Sequence, residues 1–250
     1  MAETIRVSIG TEPKQYIASE VLKASILART NRDVEFIESW QPGGWHPAMS
    51  QAPKLKNGTA FNTWRWVTAS LFTEGKAIYL DADQVVLHDI AALWESLPDG
   101  KAVACVCNAV GVFGKRVPDP GKPQTSVMVM DIPRMRSLMD RYCPLRRCAH
   151  GEISYADLMQ AAWIPREEIH EIEPGWNHFG IVDWSTKLIH YSHVATQPYR
   201  NPDHPTANVF SGELVRAVES GAIAIESVEA EVARGHIAEI YGKRCRKVVA

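Results

Sequence analysis

The chain of 250 residues has no apolar run that approaches the ~20 residues of a membrane-spanning helix. Its first residues, Met1 to Arg6, lack the apolar segment of a secretory signal. Excess charge of one sign is also missing, since 27 Lys and Arg against 29 Asp and Glu give a formal net charge of -2. The sequence therefore predicts a cytoplasmic protein, at most peripheral to a membrane, without the basic surface that nucleic-acid binding needs.

Cysteine is scarce and odd in number, with five residues, and a cytoplasmic chain should keep them as thiols. Cys143, Cys148 and His150 are residue types that bind zinc, but their spacing matches no standard zinc site. Internal repeats and low-complexity segments are absent as well. What is present is an ordinary globular composition, 46% hydrophobic and 22% charged, which allows one sizeable core without a disulfide or metal staple.

Hydrophobic periodicity predicts an α/β protein of one domain. Residues 5–9 alternate as a strand that ends at Gly10, helical spacing follows from Ile17 to Ala28, and residues 34–37 form a second strand, which implies a parallel pair. Further strands are predicted at 76–81, 102–107, 126–130, 170–172 and 187–190, helices at 63–72, 90–97, 133–142, 155–163, 213–219 and 228–240, and loops at 41–58, 115–122 and 197–205.

Residues 76–87 carry two carboxylates, Asp81 and Asp83, between two apolar runs. Burying one unpaired carboxylate costs several kcal/mol, so a cation must offset it. Side chains at i and i+2 of an extended segment point to the same side, so both acids can face one ion. Carboxylate oxygens suit Mg²⁺ or Mn²⁺, and the C-terminal end of a strand is where open α/β sheets bind ligands.

Two other interpretations of the double-Asp element remain open. Asp is common as a cap near strand ends, which would make the pair structural. Phosphatases of the haloacid dehalogenase type also place Asp-x-Asp after an apolar strand, with the first Asp as nucleophile. That motif normally lies on the first strand and continues with Gly-Thr, whereas here it lies deep in the chain and continues with Gln84-Val85.

The predicted strand at 187–190 also ends on a metal-binding residue type, His190. A lone His is more often structural, but one neutral imidazole with two carboxylates is a plausible ligand set for Mn²⁺ or Mg²⁺. The pairing with Asp81 and Asp83 therefore favours a three-residue metal site.

Taken together, these blocks resemble the proteins of glycosyltransferase family eight, from about Ile5 to Tyr199. The blocks that carry the resemblance are Ile9-Gly10-Thr11-Glu12, Phe61-Asn62-Thr63-Trp64-Arg65, Ala77-Ile78-Tyr79-Leu80-Asp81-Ala82-Asp83, Thr125 to Asp131, Pro174-Gly175-Trp176-Asn177-His178, Ile189-His190-Tyr191 and Gln197-Pro198-Tyr199. The resemblance implies a single-domain GT-A fold, Rossmann-like with a mixed central sheet, over residues 1–205. Residues 206–250 would form a helical extension packed on it.

The resemblance also implies roles for individual residues. Asp81, Asp83 and His190 would bind Mn²⁺ or Mg²⁺, Arg65 would reach the donor and assist catalysis, and Asp157 would contact or stabilise the sugar, although an acid in the first helical turn is an equally good interpretation of Asp157. The donor contacts would come from Ile9, Gly10, Thr11, Arg65, Ala82, His193 and Gln197. Gln197 stands where family members usually carry a Lys on the diphosphate.

The implied activity is metal-dependent, retaining transfer of a hexose from a nucleoside-diphosphate sugar, with UDP expected as the nucleotide. The acceptor is open among glycans, lipid-linked sugars, proteins and modified bases. Retention can follow from a covalent intermediate or from same-face attack assisted by the leaving phosphate. The alternatives are a nucleotide-sugar-binding protein without turnover, which the uncharged Gln197 motivates, and the phosphatase.

Overall fold

A computed structural model describes residues 3–56, 58–59, 61–111 and 119–249. Its strands are β1 (Ile5–Gly10), β2 (Val34–Glu38), β3 (Trp40–Gln41), β4 (Gly44–Trp45), β5 (Lys76–Asp81), β6 (Gln84–Val86), β7 (Val103–Val106), β8 (Gln124–Asp131), β9 (Ile169–Ile172), β10 (His178–Phe179) and β11 (Leu188–His190). Its helices are α1 (Tyr16–Leu27), α2 (Trp64–Leu71), α3 (Ile90–Trp94), α4 (Ile132–Tyr142), α5 (Pro144–Ala149), α6 (Tyr155–Met159), α7 (Ala207–Glu219), α8 (Ile225–Ala233) and α9 (Glu239–Val249). No helix in these ranges is long and apolar enough to cross a bilayer.

The main sheet has six strands in the order β2-β1-β5-β8-β7-β9. β1 pairs in parallel with β2 and β5, whereas β8 runs antiparallel to both β5 and β7, so the sheet is mixed. The predicted β-α-β opening and its parallel pair are therefore confirmed. A second sheet joins β10, β11 and β6, with β11 antiparallel to β6.

Both faces of β5 are covered, which explains its nearly continuous apolar sequence. Ala77 and Tyr79 belong to the core shared with α2 and α4, and Ile78 and Leu80 belong to the core shared with α1 and α3. Asp81, the polar residue at the end of β5, therefore follows a fully buried stretch of strand at the centre of the sheet.

Several predicted elements end elsewhere than expected. The predicted helix at 228–240 is two helices, α8 and α9, because the chain turns at Gly235 with φ of 70°. The predicted helix at 155–163 stops at Met159, and Ala161 follows with φ of 52°. The predicted loop at 41–58 contains the β3–β4 hairpin, which turns at Gly43 and Gly44 with positive φ. Asn57 and residues 115–118 of the predicted loop at 115–122 lie outside the described residues.

The C-terminal helices form a third core with the start of the chain. Phe210 and Leu214 of α7 and Tyr241 of α9 pack with Ile17 and Val21 of α1. This packing fixes α1 against the segment that follows β11, and both lie beside Asp81, Asp83 and His190.

Candidate metal and donor site

Asp81 and Asp83 lie at the centre of the main sheet, where β5 ends and the chain turns into β6. Both are nearly buried, with 8% and 7% of their surface exposed. The carboxylate of Asp81 accepts hydrogen bonds from the Tyr79 hydroxyl at 2.5 Å and from Arg65 Nη2 at 3.1 and 3.2 Å. Burial raises the pKa of Asp81, Arg65 acts against that rise, and the like charge of Asp83 adds to it.

Arg65 supplies the fixed positive charge beside Asp81. It lies on α2, is 7% exposed, and donates through Nη1 to the Thr125 hydroxyl at 2.8 Å. Burial is the largest influence and would lower the pKa of Arg65, but the Asp81 carboxylate together with Tyr79 and Tyr155 outweighs it, so the pKa is raised and the cation persists. Arg65 therefore compensates a buried carboxylate and also lines the cavity above it.

Asp83 is held by a different partner. Its Oδ2 accepts a hydrogen bond from Gln197 Nε2 at 2.7 Å. Its buried Oδ1 accepts no hydrogen bond from the described residues and lies 3.3 Å from His190 Nε2. One oxygen is thus fixed by the protein and the other faces the imidazole.

The second sheet brings His190 to the two acids. His190 is the register partner of Gln84 across the β6–β11 pair, and Tyr191 N–H donates to the Asp83 carbonyl at 2.8 Å. The ring Nδ1 lies 3.0 Å from Asn177 Oδ1, and Asn177 Nδ2 donates to Ser126 Oγ at 3.0 Å. With the Asn177 amide so oriented, Nδ1 carries the proton and Nε2 presents its lone pair to the carboxylates.

These three side chains fit a divalent ion. One ligand atom from each of Asp81, Asp83 and His190 lies within 4.8 Å of the other two. His190 Nε2 is 3.3 Å from Asp83 Oδ1 and 3.8 Å from Asp81 Oδ2. Octahedral Mg²⁺ with ligands at 2.0–2.1 Å places adjacent ligands about 2.9 Å and opposite ligands about 4.1 Å apart, so small shifts would close the site. The orphaned Asp83 Oδ1 supplies the oxygen ligand that such an ion requires.

A cavity of about 520 Å³ opens above the three residues. Its lining brings together distant segments, namely Gln15, Phe61 and Asn62, Arg65, Thr125 and Ser126, Tyr155, Met159 and Gln160, and Phe179. Asn62 Nδ2 donates to the Tyr155 hydroxyl at 2.5 Å, which ties the α2 side of the cavity to α6. A larger cleft of about 750 Å³ lies over α2, α4 and α5, and its described lining includes none of Asp81, Asp83 and His190.

Four predicted donor contacts lie beside the acids and are buried, namely Ile9, Gly10, Thr11 and Ala82. Gly10 pairs with Asp81, and a Cβ at Gly10 would come within 2.3 Å of the Tyr79 hydroxyl. Ile9, Thr11 and Ala82 are at most 1% exposed. Thr11 N–H donates to Ser39 Oγ at 2.8 Å. Their contact with a donor stays a prediction.

Two other predicted site residues have partners within the protein, and their expected roles stay predictions. Asp157 is exposed and caps α6 with Ser154, whose hydroxyl and N–H both donate to its carboxylate and lower its pKa. Its neighbours Tyr155 and Ala156 line the cavity, but Asp157 is not part of the described lining. Gln197, expected on a diphosphate, is buried and gives its amide to Asp83.

His193 does not belong to the group of Asp81, Asp83 and His190. Its Nδ1 contacts the Thr196 hydroxyl at 2.9 Å, and it lines a small pocket of about 20 Å³ that it shares with His190. Its role as a donor contact remains a prediction.

Sequence reasoning missed the residues that support the ligands. Asn177 belongs to the block Pro174 to His178 that resembles family eight, and Tyr79 precedes Asp81 by two residues on the same face of β5. Both could therefore have been predicted to lie near the ligands. Gln15 and Gln160 carried none, since only the tertiary fold brings them to the cavity.

The fold is that of the GT-A glycosyltransferases, a mixed α/β architecture with a central mixed sheet. Among solved structures it is similar to the galactosyltransferase LgtC with donor and acceptor sugar analogues, at a TM-score of 0.62 and 11% identity over 84% of this chain and 95% of that one. It is also similar to the bifunctional glycosyltransferase WbbM, at 0.60 and 14% over 86% of this chain and 50% of that one. The glycosyltransferase GlyE of Streptococcus pneumoniae TIGR4 gives 0.58 and 15%, over 88% of this chain and 64% of that one.

The chain spans about half the length of WbbM. No protein-family model and no curated protein matches the sequence. At such identities the similarity establishes the fold, and the activity has to be argued from the site.

Proposed function

We propose that this protein is a metal-dependent, retaining glycosyltransferase of the family-eight type, which moves a hexose from a nucleoside-diphosphate sugar to an acceptor. The observation that carries the proposal is the buried group of Asp81, Asp83 and His190 at the end of β5, in a GT-A fold and beneath a cavity. The expected ion is Mn²⁺ or Mg²⁺, with the imidazole favouring Mn²⁺, and the expected nucleotide is UDP.

Each residue contributes a defined part. A divalent ion, when bound, would stabilise the negative charge that develops on the leaving diphosphate. Asp81 and Asp83 offer it oxygens, and His190 offers Nε2 because Asn177 holds the proton on Nδ1. Arg65 opposes the rise that burial causes in the pKa of Asp81, and it adds positive charge to the cavity wall.

The carboxylates near the cavity bear on how retention would arise. Apart from Asp81 and Asp83, the described lining contains one carboxylate, Asp119, which is exposed and paired with Lys122 at 3.2 Å. The usual enzyme nucleophile for a covalent intermediate is a carboxylate beside the sugar. The lining therefore supports same-face attack assisted by the leaving diphosphate.

The test is a thermal-shift screen of UDP, GDP and ADP with and without Mn²⁺, followed by assays of UDP release from UDP-hexoses. A nucleotide that binds the folded state should raise the melting temperature by mass action. We expect UDP with Mn²⁺ to do so, and we expect Asp83→Asn to abolish both the shift and the turnover. Asp99→Asn, an exposed acid outside the described lining, is the matched control.

The outcomes separate the alternatives. Binding of UDP and Mn²⁺ with no release of UDP from any UDP-hexose would indicate a nucleotide-sugar-binding protein. Release of phosphate from small phosphomonoesters would indicate the phosphatase, which the structure supports less well because both oxygens of Asp81 already accept hydrogen bonds. Full activity after exhaustive chelation would contradict the metal assignment.

A further inference from the structure

Three buried side chains connect the cavity to the group of Asp81, Asp83 and His190, one after another. We propose, on the basis of the function proposed above, that Gln15, Tyr199 and Gln197 form a hydrogen-bonded relay. It positions the Asp83 carboxylate for the ion and couples it to a hydrogen-bond donor of the nucleoside at Gln15. Tyr199 and Gln197 are then positioning residues, and Gln15 is a ligand contact.

The relay is continuous in the structure. Gln15 Nε2 donates to the Tyr199 hydroxyl at 3.3 Å, the hydroxyl donates to Gln197 Oε1 at 2.5 Å, and Gln197 Nε2 donates to Asp83 Oδ2 at 2.7 Å. Gln15 is 4% exposed, Tyr199 0% and Gln197 1%, so water does not compete for these bonds. Gln15 and Asp83 are 68 residues apart in the sequence, and the residue before α1, the segment after β11 and the turn after β5 meet here.

The direction of every bond follows from the last acceptor. An ionised carboxylate only accepts hydrogen bonds, so Gln197 must turn its amide nitrogen to Asp83 and its oxygen to Tyr199. Tyr199 must then donate to that oxygen, and its own oxygen must accept from Gln15 Nε2. All donors point towards Asp83, the arrangement in which successive hydrogen bonds polarise and strengthen one another.

This order leaves Gln15 with one unused acceptor. Gln15 Oε1 is buried, has no hydrogen-bond partner among the described residues, and belongs to a side chain that lines the cavity above the acids. A buried amide oxygen without a partner is unfavourable, and a ligand that donates to it removes that penalty. A ribose hydroxyl or the imide N–H of uracil has the required chemistry, whereas the phosphates of a diphosphate do not.

The other end of the relay sets the geometry of the ligand set. Because Gln197 fixes Asp83 Oδ2, the carboxylate presents Oδ1 to His190 Nε2 at 3.3 Å. A bond accepted by Gln15 Oε1 would strengthen the remaining bonds and hold that orientation more firmly. Since coupling between two ligands is reciprocal, a nucleoside should then tighten the ion to the same degree as the ion tightens the nucleoside.

The first experiment measures the affinity of the full chain for Mn²⁺ alone, by calorimetry at constant pH. Tyr199→Phe removes the central hydroxyl and keeps the ring, and Gln197→Met removes the amide and keeps the length. We expect each to weaken Mn²⁺ at least threefold. Tyr241→Phe is the matched control, because its buried hydroxyl donates to the Pro198 carbonyl at 2.6 Å, beside the relay but outside it. It should leave Mn²⁺ affinity unchanged.

The second experiment adds uridine, which has no phosphate and therefore cannot bridge to the ion. Uridine should tighten Mn²⁺ at least twofold in the parent protein, and this effect should disappear in Gln15→Leu and in Tyr199→Phe. A merely structural role for these residues would lower stability without removing the coupling. Circular dichroism and melting temperature identify any variant that fails to fold, and in that case Gln15→Leu carries the test.

The results divide cleanly. Unchanged Mn²⁺ affinity in both Tyr199→Phe and Gln197→Met, or an equal loss in Tyr241→Phe, overturns the relay while leaving the metal site intact. Weaker Mn²⁺ binding without a uridine effect in the parent overturns the nucleoside half. A parent protein that binds neither Mn²⁺ nor UDP overturns the proposed function itself.

Discussion

The ion pair of Arg65 and Asp81 allows a quantitative test of how the site is stabilised. Arg65 is 7% and Asp81 8% exposed, and the shorter distance from Nη2 is 3.1 Å. Arg65→Met keeps an apolar stem but leaves the carboxylate buried without its charge partner. Breaking a buried pair from one side costs about 3–5 kcal/mol. That is a large share of the ~5–15 kcal/mol by which domains are stable.

The measurement is urea unfolding of the metal-free protein at neutral pH, followed by tryptophan fluorescence. Arg134→Met is the matched control, because Arg134 donates to Glu168 at 2.9 Å but its side chain is 42% exposed. An exposed pair contributes at most about 1 kcal/mol. Equal losses of unfolding free energy in the two variants would refute the reasoning.

The pH dependence of the stability loss in Arg65→Met is an independent test of the same ion pair. Burial raises the pKa of Asp81 and Arg65 lowers it, so Arg65→Met should raise that pKa further. A carboxyl whose pKa is raised by folding stabilises the protein below its unfolded pKa, and this contribution is lost as pH rises through the folded pKa. The deficit of Arg65→Met should therefore shrink as pH falls from neutral towards about 4. A deficit that grows on acidification would contradict the assigned direction.

Three further predictions follow from the supporting residues. Asn177→Ala should weaken Mn²⁺ about 10–100-fold in calorimetry, the usual effect of removing the hydrogen bond that orients a ligating His, with the exposed Asn108→Ala as control. Gln197→Lys should weaken the binding of Mn²⁺, because the new ammonium would pair with Asp83. Tighter binding of UDP by this variant would instead support the expected contact between residue 197 and the diphosphate. Asp83→Asn should stabilise the metal-free protein in urea by about 0.5–2 kcal/mol by removing a like charge, and a loss would contradict this.

Asp81, Asp83 and His190 could be predicted from the sequence because the signals that point to them are local. Two acids at i and i+2 after an apolar strand need no tertiary information to suggest one ion. His190 was found because it too ends a strand. The structure brings the three side chains together, which the spacing alone did not require.

The expected roles of Gln197 and Asp157 remain predictions, and the structure gives each side chain a partner within the protein. Gln197 follows a short 3₁₀ turn at Val194–Thr196, which carries its amide into the protein, and such a turn cannot be placed by aligning motifs. Asp157 was readable, since Ser154 three residues earlier completes a capping box. The sequence analysis accordingly gave an acid in the first helical turn the same weight as a sugar contact.

Helix ends show the same division between local and tertiary information. The break between α8 and α9 depends on Gly235, whose left-handed backbone is a local signal for a helix stop. The break after α6 depends on Ala161, a residue that disfavours positive φ, and only the surrounding packing explains it. The apolar periodicity of the sequence continues past both helix ends, so it predicted longer helices than the structure has.

The supporting residues around Asp81 and Asp83 explain why the site is built as it is. Two carboxylates share a buried turn, and the described structure offers them one full cation, Arg65, which lies on Asp81. The Asp83 carboxylate accepts a hydrogen bond from a neutral amide, that of Gln197, and its Oδ1 has no donor among the described residues. The electrostatic conflict is therefore concentrated on the side that faces the cavity. A protein built for stability alone would not place two acids here, so the pair supports the proposed cation site between Asp83 and His190, where a bound cation would relieve the conflict.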